Sequence, residues 1–181
     1  LKNSFESGKY EVEIIPLNEV MALLLHYPIV IYPKFFEAKP ILNKGLLDEI
    51  KKGSFMGNYG PYLENCREVL KMDKKLMEKD KSAGDFLRSY SVVYSGLLRL
   101  KALYILGLLL KNKRYSNRDF KDYLINSLNI SKNELESLYS VYKAVLNNKK
   151  PKNKIPLKLA ESLTDLLEKE VHKYGKKKEK T

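Results

Sequence analysis

The sequence predicts a mainly helical protein, an antiparallel helical bundle preceded by a short α/β piece with one or two strands. Three observations carry this. From residue 60 onward, apolar side chains recur at three- and four-residue steps. Before that point one segment alternates with period two, and Pro and Gly punctuate both regimes. The chain has 181 residues, 44% hydrophobic and 31% charged, which suits a globular protein of one domain or one and a half.

The strand signal is Y-E-V-E-I-I-P-L over residues 10–17, where Tyr10, Val12 and Ile14 alternate with Glu11, Glu13 and Ile15. Gly8 marks a turn before it, and Pro16 limits pairing after it. Asn18 then suits the cap of a helix carrying Met21, Leu24 and Leu25, interrupted at Pro28 and Pro33. Residues 29–36 read either as a short strand or as a continuing helix. The glycine-rich run G-S-F-M-G-N-Y-G over 53–60 reads as a mobile connector.

Helices dominate thereafter. Pro61 fits a first helical turn, with Tyr62, Cys66, Val69, Leu70, Leu76 and Met77 forming one apolar stripe. Ser82 is expected to cap the longest helix, over residues 83–111. Ser116 or Asn117 opens a third, with Phe120, Tyr123, Leu124 and Leu128, which yields at Asn129. Ser131 followed by Glu134 is a capping box for a fourth, presenting Leu135, Leu138, Tyr139, Tyr142 and Val145. After the basic loop 147–154, Pro156 leads into a last helix through Leu159, Leu163, Leu166 and Leu167. The expected division is an α/β remnant over 1–42, a flexible connector over 43–60, a bundle over 61–174 and a disordered basic tail over 175–181.

Charge gives the first functional clue. The net charge is +12 and the pI about 9.5, which fits a partner carrying phosphates, whether nucleic acid, nucleotide or an anionic membrane surface, and identifies none of them. Of 34 cationic residues only five are Arg, and Arg88, Arg99, Arg114 and Arg118 fall within 31 residues of one another. Arg offers a planar fork for phosphate or carboxylate, whereas Lys is a flexible point charge. The single Cys66 allows no internal disulfide and points to a reducing cytoplasm. Residues 92–110 are strongly apolar, but Arg99 and Lys101 at their middle argue for a buried core helix and no membrane partner. The opening Leu1, without a leader pattern, suggests a piece of a longer protein.

Several segments together resemble a known family. G-K-Y-E-V-E-I-I-P-L, followed by a short helix and F-F-E-A-K-P-I-L (35–42), resembles the closing part of the minimal nucleotidyltransferase domain of the DNA polymerase β superfamily, as found in archaea. Y-S-G-L-L-R-L-K-A-L-Y-I-L (94–106), Y-S-N-R-D-F-K-D-Y-L (115–124) and L-Y-S-V-Y-K-A-V (138–145) are similar to the helical domain attached to such enzymes. The resemblance implies a transferase that uses a nucleoside triphosphate with Mg2+ or Mn2+. Glu13 would be its third catalytic and metal-binding carboxylate, and Glu11 the lesser candidate. The family's Gly-Ser followed by Asp-x-Asp is absent: Gly53-Ser54 has no such triplet after it. The chain is therefore expected to be the C-terminal portion of such an enzyme, inactive by itself, whose bundle binds nucleotide or acceptor. Glu11-Val-Glu13 could alternatively be a degenerate metal pair in its own right. A lone Glu-x-Glu on a strand is more often a solvent-facing edge.

Within the bundle, Arg88, Val92, Ser95 and Arg99 are expected to share one helix face, their guanidinium groups about 16 Å apart. Arg99, with Tyr94 and Tyr90 near it, would hold a phosphate or the acceptor, and Arg88 would assist. The competing reading is an internal ion pair with Asp85 or Glu64. Lys111, Lys113, Arg114 and Arg118, interleaved with Tyr115, are candidates for gripping a nucleic-acid backbone and stacking a base. A solvated helix junction is the plain alternative. A third reading gives the bundle an apolar groove for a protein acceptor or for a second copy, as a homodimer. His26 and His172 lack partners at metal spacing, Glu168 beside His172 excepted.

Overall fold

Helical periodicity in the sequence becomes helix over most of the chain. A computed structural model describes residues 16–26, 43–46, 48, 59–111 and 113–178, and these are mainly helical. The helices are α1 (Leu17–His26), α2 (Gly60–Lys81), α3 (Ser91–Leu109), α4 (Asn117–Leu128), α5 (Lys132–Leu146) and α6 (Leu157–Lys178). Glu11 and Glu13, the segment 29–36 and the exit 35–42 lie outside the described residues, as does the strand expected over 10–17 except for its last two positions. Those two differ from expectation. Pro16 accepts the Val20 N–H at 2.9 Å and Leu17 opens α1, so Asn18 sits inside the helix rather than capping it. Residues 44–46 and 48, expected in a connector, are helical, and Asn43 Oδ1 accepts the Leu46 N–H.

The bundle is built around α3. This helix is long and apolar enough to cross a membrane by length and composition. It packs instead against α2, α5 and α6, burying Val92, Val93, Leu97, Leu100, Leu103 and Leu106. Burying each such side chain contributes about 1.5–3 kcal/mol relative to exposure. Helix α2 runs antiparallel to α3, since Asp73 meets Ser95 and Asn65 meets Arg99. It is also antiparallel to α6, since Lys74 meets Glu168 and Lys81 meets Glu161. Helices α3 and α6 must therefore run parallel, so the bundle is not antiparallel throughout. Two glycines let them approach. A Cβ at Gly96 would lie 3.0 Å from Leu163, and one at Gly107 would collide with the Tyr174 hydroxyl.

The largest departure from expectation is the start of α3, at Ser91 rather than residue 83. Tertiary contacts override the helical pattern there. Ser82 closes α2, its hydroxyl donating to the Lys79 carbonyl at 2.7 Å, and Gly84 adopts φ +132°, which other residues rarely adopt. The chain then extends beside the lead-in to α6. Leu87 N–H donates to Ile155 O and Leu157 N–H to Asp85 O, flanking the Phe86–Pro156 bridge. The buried Asp80 carboxylate accepts the Arg88 and Ser89 N–H groups at 2.8 and 2.6 Å. Those bonds and the Ser89 hydroxyl outweigh the burial that opposes ionisation, so its pKa lies below the ordinary carboxylate value.

The remaining boundaries match the local chemistry. Ser116 caps α4 by accepting the Asp119 N–H, and Asn129 ends it in a left-handed conformation, φ 52° and ψ 50°. Ser131 and Glu134 form the capping box of α5. Helix α6 runs through Lys178, so the disordered tail expected from 175 does not begin there.

Candidate nucleic-acid interface

The exit of α3 and the entry of α4 form a corner with a defined backbone. The Lys111 and Lys113 N–H groups both donate to Leu108 O, at 3.0 and 2.9 Å, folding the chain back over the end of α3. Tyr115 sets the next step. Its hydroxyl donates to Asn117 Oδ1 at 3.1 Å, and its ring meets Tyr104 edge-on at 6.4 Å. Tyr104 in turn packs on Phe120 and Tyr123, so the corner is pinned to the core by aromatic contacts. Lys101, one helical turn before Tyr104, places its ammonium 5.2 Å from the Tyr115 ring centre.

This arrangement leaves Lys101, Lys111, Lys113, Arg114, Arg118 and Lys121 exposed. Over residues 101–122 these six cations face only two acids, Asp119 and Asp122. Among the described residues, none of Lys101, Lys111, Lys113, Arg118 and Lys121 makes an ion pair. Some cations elsewhere are paired instead. Lys74 holds both oxygens of Glu168 at 2.8 Å, Lys173 holds Glu170 at 2.7 Å, and Arg67 holds Glu64 at 2.6 Å. The corner continues into a groove of about 330 Å³ between α4 and α5, with Ile125 and Leu135 in its lining, rimmed by Arg118, Lys121 and Lys132 and also by Asp122 and Glu136.

The other expected cluster does not assemble. Arg88 lies in the extended connection rather than on α3, and its guanidinium donates to Ala83 O at 2.9 Å. Tyr94 and Arg99 are five residues apart, about 140° around the helix. Tyr94 stacks on Tyr142 of α5 at 5.2 Å, whereas Arg99 turns to α2. The three therefore form no common site. Arg99 donates to Asn65 Oδ1 at 3.2 Å and to Ser95 Oγ at 3.3 Å, and its Nε is buried without a partner. Neither Asp85 nor Glu64 pairs with it. The acid it approaches is Asp73, which accepts the Ser95 hydroxyl at 2.7 Å.

Burial pushes the Asp73 carboxyl above its ordinary pKa, against the lowering pull of Ser95 and Arg99. The neighbouring Cys66 thiol is raised first by burial as well. Asp73 and Asp80 were missed as core groups because Asp is rarely buried. Their spacing could have found them. With Leu63, Cys66, Leu70 and Met77 they continue one stripe of α2 at three- and four-residue steps.

The remaining candidates are quickly placed. His172 Nδ1 lies 2.9 Å from the carbonyl of Glu168, not from its carboxylate. Among the described residues, no three His, Cys, Asp or Glu side chains converge as a metal site. No protein-family model, no curated protein and no solved structure matches this chain.

Proposed function

We propose that the bundle binds RNA through the corner between α3 and α4. The observation that carries this is a concentration of exposed cations: Lys101, Lys111, Lys113, Arg118 and Lys121 gather around the Tyr115 corner and make no ion pair among the described residues, whereas Lys74, Lys81 and Lys173 are held by carboxylates. Lys111, Lys113 and Arg118 contact phosphates, and Tyr115 offers a flat apolar face for a base. This reading gives the protein a cytoplasmic setting with RNA as its main partner.

Anisotropy with a labelled RNA hairpin over a salt series tests it. Changing Lys111, Lys113 and Arg118 together to Ala is expected to weaken binding at least tenfold at low salt. The slope of log K against log salt should fall by roughly 2–3. Absence of binding by the wild-type chain at low salt overturns the reading.

One observation favours a second reading, in which the chain is the C-terminal portion of a metal-dependent nucleotidyltransferase whose bundle holds nucleotide or acceptor. Arg99 is a guanidinium with only neutral acceptors in contact and an unpaired Nε. A triphosphate or an acceptor phosphate would supply the missing acceptor. Titrating the four nucleoside triphosphates with Mg2+ or Mn2+ against wild type and Arg99→Lys tests this. Equal, weak binding by both proteins removes Arg99 from any nucleotide site.

A further inference from the structure

Two aromatic ladders start on α3. Tyr104, packed on Phe120 and Tyr123, meets Tyr115. Tyr94, stacked on Tyr142, leads to Tyr139, whose ring meets Tyr142 edge-on at 6.3 Å. The outer ring of each ladder carries a lysine. Lys101 Nζ is 5.2 Å from the Tyr115 ring centre, and Lys121 Nζ is 5.3 Å from that of Tyr139. Both lysines are exposed and both tyrosines are half-buried. Rings held this way are rigid before any ligand arrives, so little ordering is needed on binding.

We propose that Tyr115 and Tyr139 are two base-stacking platforms, which makes single-stranded RNA the preferred ligand. The inference rests on the RNA reading of the corner and names the ligand class of that surface. A base and an ammonium compete for the same face of a tyrosine. Stacking of a base outweighs an exposed cation–π contact, and the displaced ammonium remains within reach of the adjoining phosphate. Arg118 and Lys121 of α4 line the adjoining groove and supply further cations. Asp122 and Glu136 flank the same groove and oppose a backbone laid deeply into it. The strand is therefore expected to keep to the tyrosines and the lysine rim. A duplex, with its bases already stacked on one another, can use the cations but not the platforms.

The test compares a 12-nucleotide single-stranded RNA with a 12-base-pair RNA duplex by anisotropy, using wild type, Tyr139→Leu, Tyr139→Phe and Tyr115→Leu. The wild type is expected to bind the single strand about tenfold more tightly. Each Leu variant should lose roughly 5- to 10-fold for the single strand and less than 2-fold for the duplex, and Tyr139→Phe should retain binding. A single strand carrying 2-aminopurine adds a reading on the unaltered protein: its fluorescence should fall on binding as the base stacks. Equal affinity for strand and duplex, or unchanged 2-aminopurine fluorescence, overturns the platforms. If the Lys111, Lys113 and Arg118 substitutions still weaken binding in that case, the corner reading survives. If neither RNA binds, both fall.

Discussion

Along the seam between α2 and α6, Lys74 and Lys81 reach Glu168 and Glu161, and apolar residues fill the space behind them. At the corner between α3 and α4, five exposed cations within 21 residues, from Lys101 to Lys121, make no ion pair among the described residues, while tyrosines pack beneath. The two regions use similar residues with opposite results. In the seam, charge is balanced locally and serves to solubilise and align two helices. At the corner it is left unbalanced, and like charges held near one another raise the free energy of the unliganded surface, which a polyanion relieves. On the proposed RNA reading, what marks the corner is the gathering of five unpaired cations over packed tyrosines.

The comparison requires that the bundle's stability reside in the packed helices and not in the corner. Leu163→Ala probes the packed side most strongly. Leu163 is fully buried on α6 against Gly96 of α3. Its truncation removes contacts from a site that closes imperfectly, at a cost of about 2–5 kcal/mol. Thermal unfolding should drop accordingly, while RNA affinity measured on the folded fraction stays within twofold of wild type. A matching loss of affinity would show that the corner depends on the seam and that the two regions are not separable.

Legibility differed between these regions for physical reasons. Helix ends set by local chemistry were readable: Ser116, Asn129 and the Ser131–Glu134 box are where short-range hydrogen bonds decide the backbone. The corner cations were also legible, because exposed charge keeps its sequence position wherever the helices go. The seam of Asp73, Ser95 and Arg99 was not, since it joins residues 22 and more positions apart through a packing that periodicity does not specify. The start of α3 failed for the same reason. Asp80, Asp85 and Ile155 supply partners that a helix over residues 83–90 would forgo.

Asp73→Asn gives an intermediate effect and tests how the buried interior treats charge. The folded carboxyl holds its proton to higher pH than the same group in the unfolded chain. The unfolded state therefore binds fewer protons as pH rises above about 4, and Asp73 lowers stability increasingly until the folded carboxyl itself ionises. Asn keeps an oxygen acceptor for the Ser95 hydroxyl and cannot ionise. The variant is expected to match wild type near pH 4 and to unfold at a higher temperature at pH 7. The opposite result, a variant less stable at pH 7, would show that Arg99 depends on the Asp73 charge. Arg99 would then have its counterion within the fold, and the nucleotide reading of that guanidinium would lose its support.

Glu168→Gln is expected to do least, and for that reason it separates arrangement from net charge. Lys74 and Glu168 are 42% and 39% exposed in their side chains, so water screens the pair and its loss should change stability by about 0–1 kcal/mol. The substitution raises the net charge by one and frees Lys74 on α2, outside the corner. If the arrangement at the corner governs binding, RNA affinity should change less than twofold, and the salt slope should stay the same within error. If affinity rises as much as one corner substitution lowers it, net charge alone is responsible. The unpaired corner would then have no privilege over any other lysine-bearing surface of the bundle.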